Sequence, residues 1–183
     1  MARAQKPIPD GYHTITPQLT LDNASQTIDW YKRAFGADEV SRNISPDGKI
    51  MHAELSIGNS RFMVNDVMMG KGPRALGGSP ASLWLFVENS DALFSRAVTA
   101  GAKVEAPMAD QFWGDRAGAV TDPAGYTWWI ATRKETFTAA EMQQVEACMR
   151  RQLLDHIVPW QTRLVYITAA SPLAPLATLS MSV

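Results

Sequence analysis

The residues of this chain best suited to acid–base or metal chemistry are His52 and Glu54, two positions apart in the alternating segment 49–57. Side chains two apart on a β-strand point to the same face, so an imidazole and a carboxylate would lie side by side. Glu54 could then act as a general base or a metal ligand, with His52 and Gln18 assisting. The alternative is a hydrogen-bonded pair of His52 and Glu54 in a polar lining.

Tryptophans form a second set of candidates. Alternation places Trp84 and Phe86 on one face of one predicted strand, and Trp129 and Ala131 on one face of another. Aromatic rings stack offset on planar molecules, which contributes about 0.5–1.5 kcal/mol per pair beyond the burial of area. The pattern predicts a site for a planar ligand, and ordinary core packing is the alternative.

Composition excludes other kinds of protein. The formal net charge is -1, with 17 Lys and Arg against 18 Asp and Glu, and no basic stripe occurs, so we expect no nucleic-acid partner. The lone Cys148 rules out an internal disulfide and favours a reducing, cytoplasmic location. We expect no secretory signal and no membrane span, because Pro172 and Pro175 interrupt the apolar C-terminal run.

The elements that must position the candidate residues occur twice. Passages beginning at Leu19 and Leu85 each contain a strand, an acid–Asn pair, an amphipathic helix, a Gly-Ala stop and a second strand. Such a repeat predicts a duplicated module that pairs with its copy around a shared cavity. The expected fold is α+β, with two βαβββ modules forming a curled mixed sheet around a cavity, plus a C-terminal helix and a tail.

Turn and capping signals set the expected boundaries. Asn23 or Ser25 would cap the first helix, Gly36 would end it, and a Thr138–Glu141 capping box would open the last one. The tail would be either partly disordered or docked on a partner subunit. The predicted segments are a lead-in at 1–12, a domain at 13–134 with modules at about 13–67 and 82–134, short strands at 39–42 and 104–106, a loop at 107–116, a helix at 138–157 and a tail at 158–183.

Several phrases of the sequence resemble the vicinal-oxygen-chelate superfamily, which includes glyoxalase I, bleomycin-resistance proteins and extradiol dioxygenases. They are IDWYKRAFGA, PDGKIMHAEL, DQFWGDR and DPAGYTWWIAT, and they are most similar to the PhnB-like subgroup. The resemblance implies paired βαβββ modules and a homodimer. It implies a fold more than a function, because the superfamily includes lyases, epimerases, dioxygenases, thiol transferases and non-catalytic binding proteins.

Metal-dependent members of this superfamily hold a divalent ion with one ligand from each of four strands. The resemblance places those four positions at Thr16, Glu54, Ser82 and Trp129. Only Glu54 is a competent ligand, since a transition metal requires three or more nitrogen or carboxylate donors. We therefore expect no cofactor, and the alternative is one divalent metal ion on Glu54 and His52.

The resulting hypothesis is a protein that binds a small aromatic or heteroaromatic molecule in a Trp-lined, metal-free cavity. Arg116 would offer a planar fork to an anion or pair with Asp115. The alternative is a metal-dependent lyase, isomerase or dioxygenase using Glu54 and His52, so whether the protein is an enzyme stays open. A third possibility is a scaffold whose role is dimerisation. The expected ligand-binding residues are Trp84, Phe86, Trp113, Arg116, Trp129 and Gln18.

Overall fold

A computed structural model describes residues 7–157. The chain divides into two compact units at residue 136, so the two modules lie in the first unit and the last helix, α3, in the second. The first module contains β1 (Gln18–Leu21), α1 (Ala24–Phe35), β2 (Asp38–Ile44), β3 (Ile50–Ile57) and β4 (Ser60–Asp66). The second contains β5 (Ser82–Phe86), α2 (Ser90–Thr99), β6 (Lys103–Asp110), β7 (Asp115–Thr121) and β8 (Thr127–Arg133), and α3 spans Ala139–Ile157.

Each module forms its own four-stranded sheet with the same topology. The strand orders are β1-β4-β3-β2 and β5-β8-β7-β6, with β1 parallel to β4 and β5 parallel to β8. The α+β class and the two-module fold are therefore confirmed. Within the described residues the two sheets do not join, so β1 and β2 are the edge strands of one sheet and β5 and β6 those of the other.

The repeated acid–Asn pairs are explained by helix capping. The side chain of Asn23 accepts a hydrogen bond from the Gln26 backbone N–H, and Asn89 accepts one from Ala92. Each bond satisfies a backbone donor that the first helical turn leaves without a partner. Gly36 ends α1 at a φ of 69°, in the left-handed region that glycine tolerates.

The helix-bearing faces of both sheets contribute to one hydrophobic core. Trp128 of β8 connects the modules, because its ring centroid lies 5.5 Å from that of Tyr31 and 4.9 Å from that of Phe35, both on α1. Two polar bonds join the helices nearby. The Trp30 indole donates to the Ala100 carbonyl at 2.8 Å, and Arg96 Nε donates to the Ala34 carbonyl at 2.7 Å.

A buried carboxylate, Asp122, lies at the junction where α1 of the first module packs against β8 of the second. It is only 4% exposed, and it accepts the Tyr31 hydroxyl at 2.7 Å and the Trp128 indole N–H at 2.8 Å. The backbone N–H groups of Ala124 and Tyr126 also donate to it, both at 2.9 Å. Burial raises the pKa of this carboxyl, and the hydrogen bond from Tyr31 opposes that rise.

The structure corrects several predicted boundaries. β6 is much longer than the predicted strand at 104–106 and includes Pro107 and the rest of the predicted loop up to Asp110. Proline is tolerated there because β6 is the edge strand of its sheet, and the pairing with β7 is irregular on both sides of Ala106. β2 extends to Ile44, beyond the predicted strand at 39–42, and β7 begins at Asp115, inside the predicted loop at 107–116.

The second unit confirms the predicted capping box. Thr138 Oγ1 accepts the Glu141 backbone N–H at 3.3 Å, and the Glu141 carboxylate accepts the Thr138 backbone N–H at 2.8 Å. The predictions for the tail at 158–183 and for the start of the lead-in fall outside the described residues. Across residues 7–157, no helix combines the length and apolar character that a membrane crossing requires.

We predict that Tyr31→Phe lowers the free energy of unfolding by about 1.5–3 kcal/mol at neutral pH, because it removes a donor to a buried charged acceptor. Loss of that donor raises the pKa of Asp122 further in the folded state. A raised carboxyl pKa stabilises the fold at low pH, and this stabilisation is lost as the pH rises through the folded pKa. The cost of the substitution should therefore grow from pH 4.5 to pH 7.5, as measured by urea unfolding.

The matched control is Tyr126→Phe, whose hydroxyl contacts only the backbone N–H and carbonyl of Thr20, each at 3.2 Å. These neutral hydrogen bonds should contribute about 0.5–1.5 kcal/mol to the free energy of unfolding at both pH values. If both variants lost the same amount of unfolding free energy at both pH values, the assignment of Asp122 as the charged acceptor would be contradicted.

Candidate functional site

Four aromatic side chains lie together on the outer surface of the second sheet, and we call this group, Trp84, Phe86, Trp113 and Trp129, the aromatic face. The Trp84 and Trp129 rings are stacked, with centroids 5.0 Å apart and planes 7° apart. Phe86 stacks on Trp84 at 5.9 Å, and Trp113 meets Trp84 edge-on at 6.4 Å. The structure thus brings together four of the predicted ligand-binding residues.

Strand register explains this assembly. Trp84 is directly opposite Trp129 in the parallel β5–β8 pair, and Phe86 is opposite Ala131. On β7 the neighbouring positions are Ala117 and Ala119, so the floor of the face is built of small residues. These alanines are buried although they lie outside the hydrophobic core.

The aromatic face is open to solvent. Trp84 is 42% exposed and Phe86 is 58% exposed. Both lie on β5, one of the two edge strands of this sheet, so one side of this aromatic pair is not covered by a neighbouring strand. Exposed and contiguous apolar groups of this kind mark sites for ligands or partner proteins.

A buried carboxylate holds Trp113 in place. Asp115, only 2% exposed, accepts the Trp113 indole N–H at 2.8 Å. Its other oxygen lies 2.5 Å from Nε of Arg133, the residue opposite it on β8. The outer face of the second sheet therefore carries a Trp113–Asp115–Arg133 chain beside the stacked rings.

Arg116 lies on the opposite face of the sheet from the tryptophans. Its guanidinium pairs with Asp91 at the start of α2, at 2.8 Å, and with Asp110 at 3.4 Å. The alternative prediction, that Arg116 pairs with Asp115, is wrong, because side chains of consecutive strand residues point to opposite faces of the sheet. Arg116 is accordingly separated from the four aromatic residues, and its predicted ligand role finds no support in this placement.

The outer surface of the first sheet is polar, and we call the group Gln18, His52, Glu54, Arg61 and Asn65 the polar face. Glu54 lies 3.4 Å from an Arg61 terminal nitrogen, and the Arg61 guanidinium lies 5.2 Å from the centroid of the Tyr12 ring. Burial raises the pKa of the Tyr12 hydroxyl. The only carboxylate of the polar face thus lies next to a fixed cation.

The two assisting residues contact Glu54 weakly or not at all. His52 Nε2 is 3.7 Å from Glu54 Oε1, which is too long for a hydrogen bond, so the expected hydrogen-bonded pair is wrong. Gln18 instead donates to Asn65 Oδ1 at 2.9 Å. Register places Gln18 and Glu54 on either side of Met63, on strands that are not neighbours.

These residues do not fit a divalent metal. Thr16 donates its hydroxyl to the His13 carbonyl, and Ser82 and Trp129 lie on the other sheet from Glu54. Among the side chains that the structure describes, there is no group of three His, Cys, Asp or Glu residues that could hold a metal ion. A competent site requires at least three such donors.

Sequence reasoning missed three residues that lie on or beside the two faces, Phe112, Arg133 and Arg61. Phe112 packs edge-on against Trp113 at 4.9 Å. The signal for Arg133 was present, because alternation places it on the same face as Trp129 and Ala131. No sequence signal indicates that Arg61 contacts Glu54, since the pair spans a hairpin diagonally.

Comparison with known proteins gives consistent results. The family model for the Glyoxalase/Bleomycin resistance protein/Dioxygenase superfamily matches residues 13–130. An uncharacterized protein of Mycobacterium bovis is 40% identical over 144 residues, which cover 75% of this chain and 93% of the relative.

Solved structures share the fold. TioX from Micromonospora sp. ML1 superposes with a TM-score of 0.55 at 27% identity, covering 66% of this chain and 98% of that one. A PhnB protein from Bacillus cereus superposes with a TM-score of 0.51 at 17% identity, covering 66% and 99%. With its repeated module and the family match over both copies, the chain belongs to the Glyoxalase/Bleomycin resistance protein/Dioxygenase superfamily.

Proposed function

We propose that this protein binds a small planar aromatic or heteroaromatic molecule on the aromatic face. The observation that carries the proposal is the stacked pair of Trp84 and Trp129, which strand register places opposite each other, with Trp84 exposed on an edge strand. Stacked indoles offer a large flat surface that favours offset contact with another ring. Their exposure leaves part of this surface free for a ligand.

The geometry refines how such a ligand would bind. A ring inserted between two parallel indoles needs a separation of roughly 7–8 Å, twice the contact distance between carbon atoms. Trp84 and Trp129 are only 5.0 Å apart, so a ligand would stack on the outside of the pair. Trp84 borders the open edge of β5 and is the natural contact.

The metal-dependent alternative receives less support. Its base or ligand would be Glu54, which already pairs with Arg61, and His52 is not within hydrogen-bond distance of it. Alternation also places the hydroxyls of Ser82 and Thr127 beside the aromatic face, but no described hydrogen bond links either one to a carboxylate or an imidazole that could act as its base. We therefore propose binding rather than catalysis, and the cytoplasmic location stays a prediction.

We further propose that the protein is a homodimer. The faces carrying Glu54 and Trp84 lie on separate sheets with open edges, and no hydrogen bond, ion pair or ring contact joins these two faces within residues 7–157. A second copy could place its polar face opposite the aromatic face. A cavity with one apolar wall and a few convergent polar groups suits a small molecule.

Removal of Trp84 should weaken binding of a planar heteroaromatic probe such as quinoline-2-carboxamide by about tenfold or more, which corresponds to about 1.4 kcal/mol. The measurement is quenching of tryptophan fluorescence during titration of wild type and Trp84→Ala. The matched control is Trp30→Phe, because Trp30 is buried in the core. Quenching that is lost in the control but kept in Trp84→Ala would overturn the proposed site.

Calorimetric titration with zinc, nickel or manganese after dialysis against a chelator should show no binding tighter than roughly 100 μM, because Glu54 lacks further donors. Arg61→Gln tests whether the guanidinium alone blocks a metal. Micromolar binding by wild type that disappears in Glu54→Ala would support the metal-dependent alternative instead.

Sedimentation equilibrium of the full chain should yield twice the chain mass of 20.1 kDa. Substitution of Phe86 by Lys should shift this equilibrium toward monomer, because the exposed ring lies at the open edge of the second sheet. Arg116→Gln, on the opposite face, serves as the control. A monomeric wild type at micromolar concentration would contradict the homodimer.

A further inference from the structure

Arg133 lies at the end of the aromatic face. It follows Trp129 and Ala131 on β8 with the spacing that keeps all three side chains on one face of the sheet. Its side chain is 49% exposed, whereas the carboxylate opposite it, Asp115, is buried. A charged and accessible group therefore borders the stacked rings.

The way Arg133 uses its donors distinguishes it from other arginines of the chain. Arg116 binds Asp91 through both Nε and a terminal nitrogen, and Arg42 binds Glu39 in the same two-point manner. Arg133 approaches Asp115 most closely through Nε, 2.5 Å from Oδ1, and this ion pair lacks hydrogen-bond geometry, since Asp115 Oδ1 has no hydrogen-bond partner. Among the residues that the structure describes, no acceptor is hydrogen-bonded to its two terminal nitrogens.

Asp115 fixes this arrangement relative to the aromatic rings. One of its oxygens lies against Arg133 Nε at 2.5 Å, and the other accepts the Trp113 indole N–H at 2.8 Å. Trp113 in turn meets Trp84 edge-on. The guanidinium and the stacked indoles are thus linked by a short chain of contacts on one surface.

We propose that the ligand of the aromatic face is a planar aromatic molecule carrying a carboxylate, and that the terminal nitrogens of Arg133 bind this group. The inference rests on the proposed function and specifies its ligand class. A guanidinium whose Nε lies against one carboxylate in an ion pair keeps a parallel pair of terminal N–H donors, which match the two oxygens of a second carboxylate. Arg133 is then the residue that selects anionic over neutral rings.

The test compares two probes of nearly equal size and shape, quinoline-2-carboxylate and quinoline-2-carboxamide, by tryptophan fluorescence at low ionic strength. Wild type should bind the carboxylate about tenfold more tightly than the carboxamide. Arg133→Gln should lower the affinity for the carboxylate to that for the carboxamide, with the carboxamide affinity unchanged. Arg116→Gln is the matched control, and it should preserve the preference.

Arg133→Gln leaves the buried Asp115 carboxylate without its cation and could unfold the protein. The double substitution Asp115→Asn with Arg133→Gln removes both charges. The amide oxygen introduced at position 115 can still accept the Trp113 N–H. This variant should likewise bind both probes equally. If the role of Arg133 were purely structural, its substitution would instead lower the affinity for both probes together.

The outcomes separate this inference from the proposed function. If wild type binds both probes equally, or if the preference survives without Arg133, the carboxylate assignment is overturned while the aromatic site stands. If neither probe quenches tryptophan fluorescence at millimolar concentration, the proposed function fails, and the ligand class fails with it.

Discussion

The junction between the two modules depends on one buried carboxylate, Asp122. It accepts four donors, and they come from α1 of the first module, from β8 and from its own turn. A buried charge is stable only when hydrogen bonds replace the water it has lost. The position of Tyr31 and Trp128 around Asp122 therefore fixes where α1 packs on the second sheet.

This junction determines which surfaces remain for function. Because both helix-bearing faces are used in one core, the opposite face of each sheet is free. The duplicated modules have kept the same strand order and the same Asn caps, yet their free faces differ in character. One is polar and carries Glu54 and Arg61, and the other is aromatic and carries Trp84 and Trp129.

Local periodicity was sufficient to predict much of this architecture. Alternation correctly placed Trp84, Phe86 and Trp129 together, because the side-chain period of a strand is independent of its partners. The same reasoning could not reveal that Arg116 pairs with Asp91 across to α2, or that β6 continues through Pro107. Both depend on neighbouring elements, namely the packing of a helix and the position of a strand at the edge of its sheet.

On the polar face, the fold of the superfamily occurs without a group of three metal donors among the described side chains. The superfamily match covers both modules, but the carboxylate at the one competent ligand position, Glu54, lies 3.4 Å from a guanidinium. A metal ion bound to the same carboxylate would lie within a few ångströms of Arg61, where like unit charges repel by roughly 4 kcal/mol. The arginine thus supplies a positive charge that balances Glu54, and a divalent ion would have to displace it. For this reason our proposal of ligand binding rests on the aromatic face and not on the polar face.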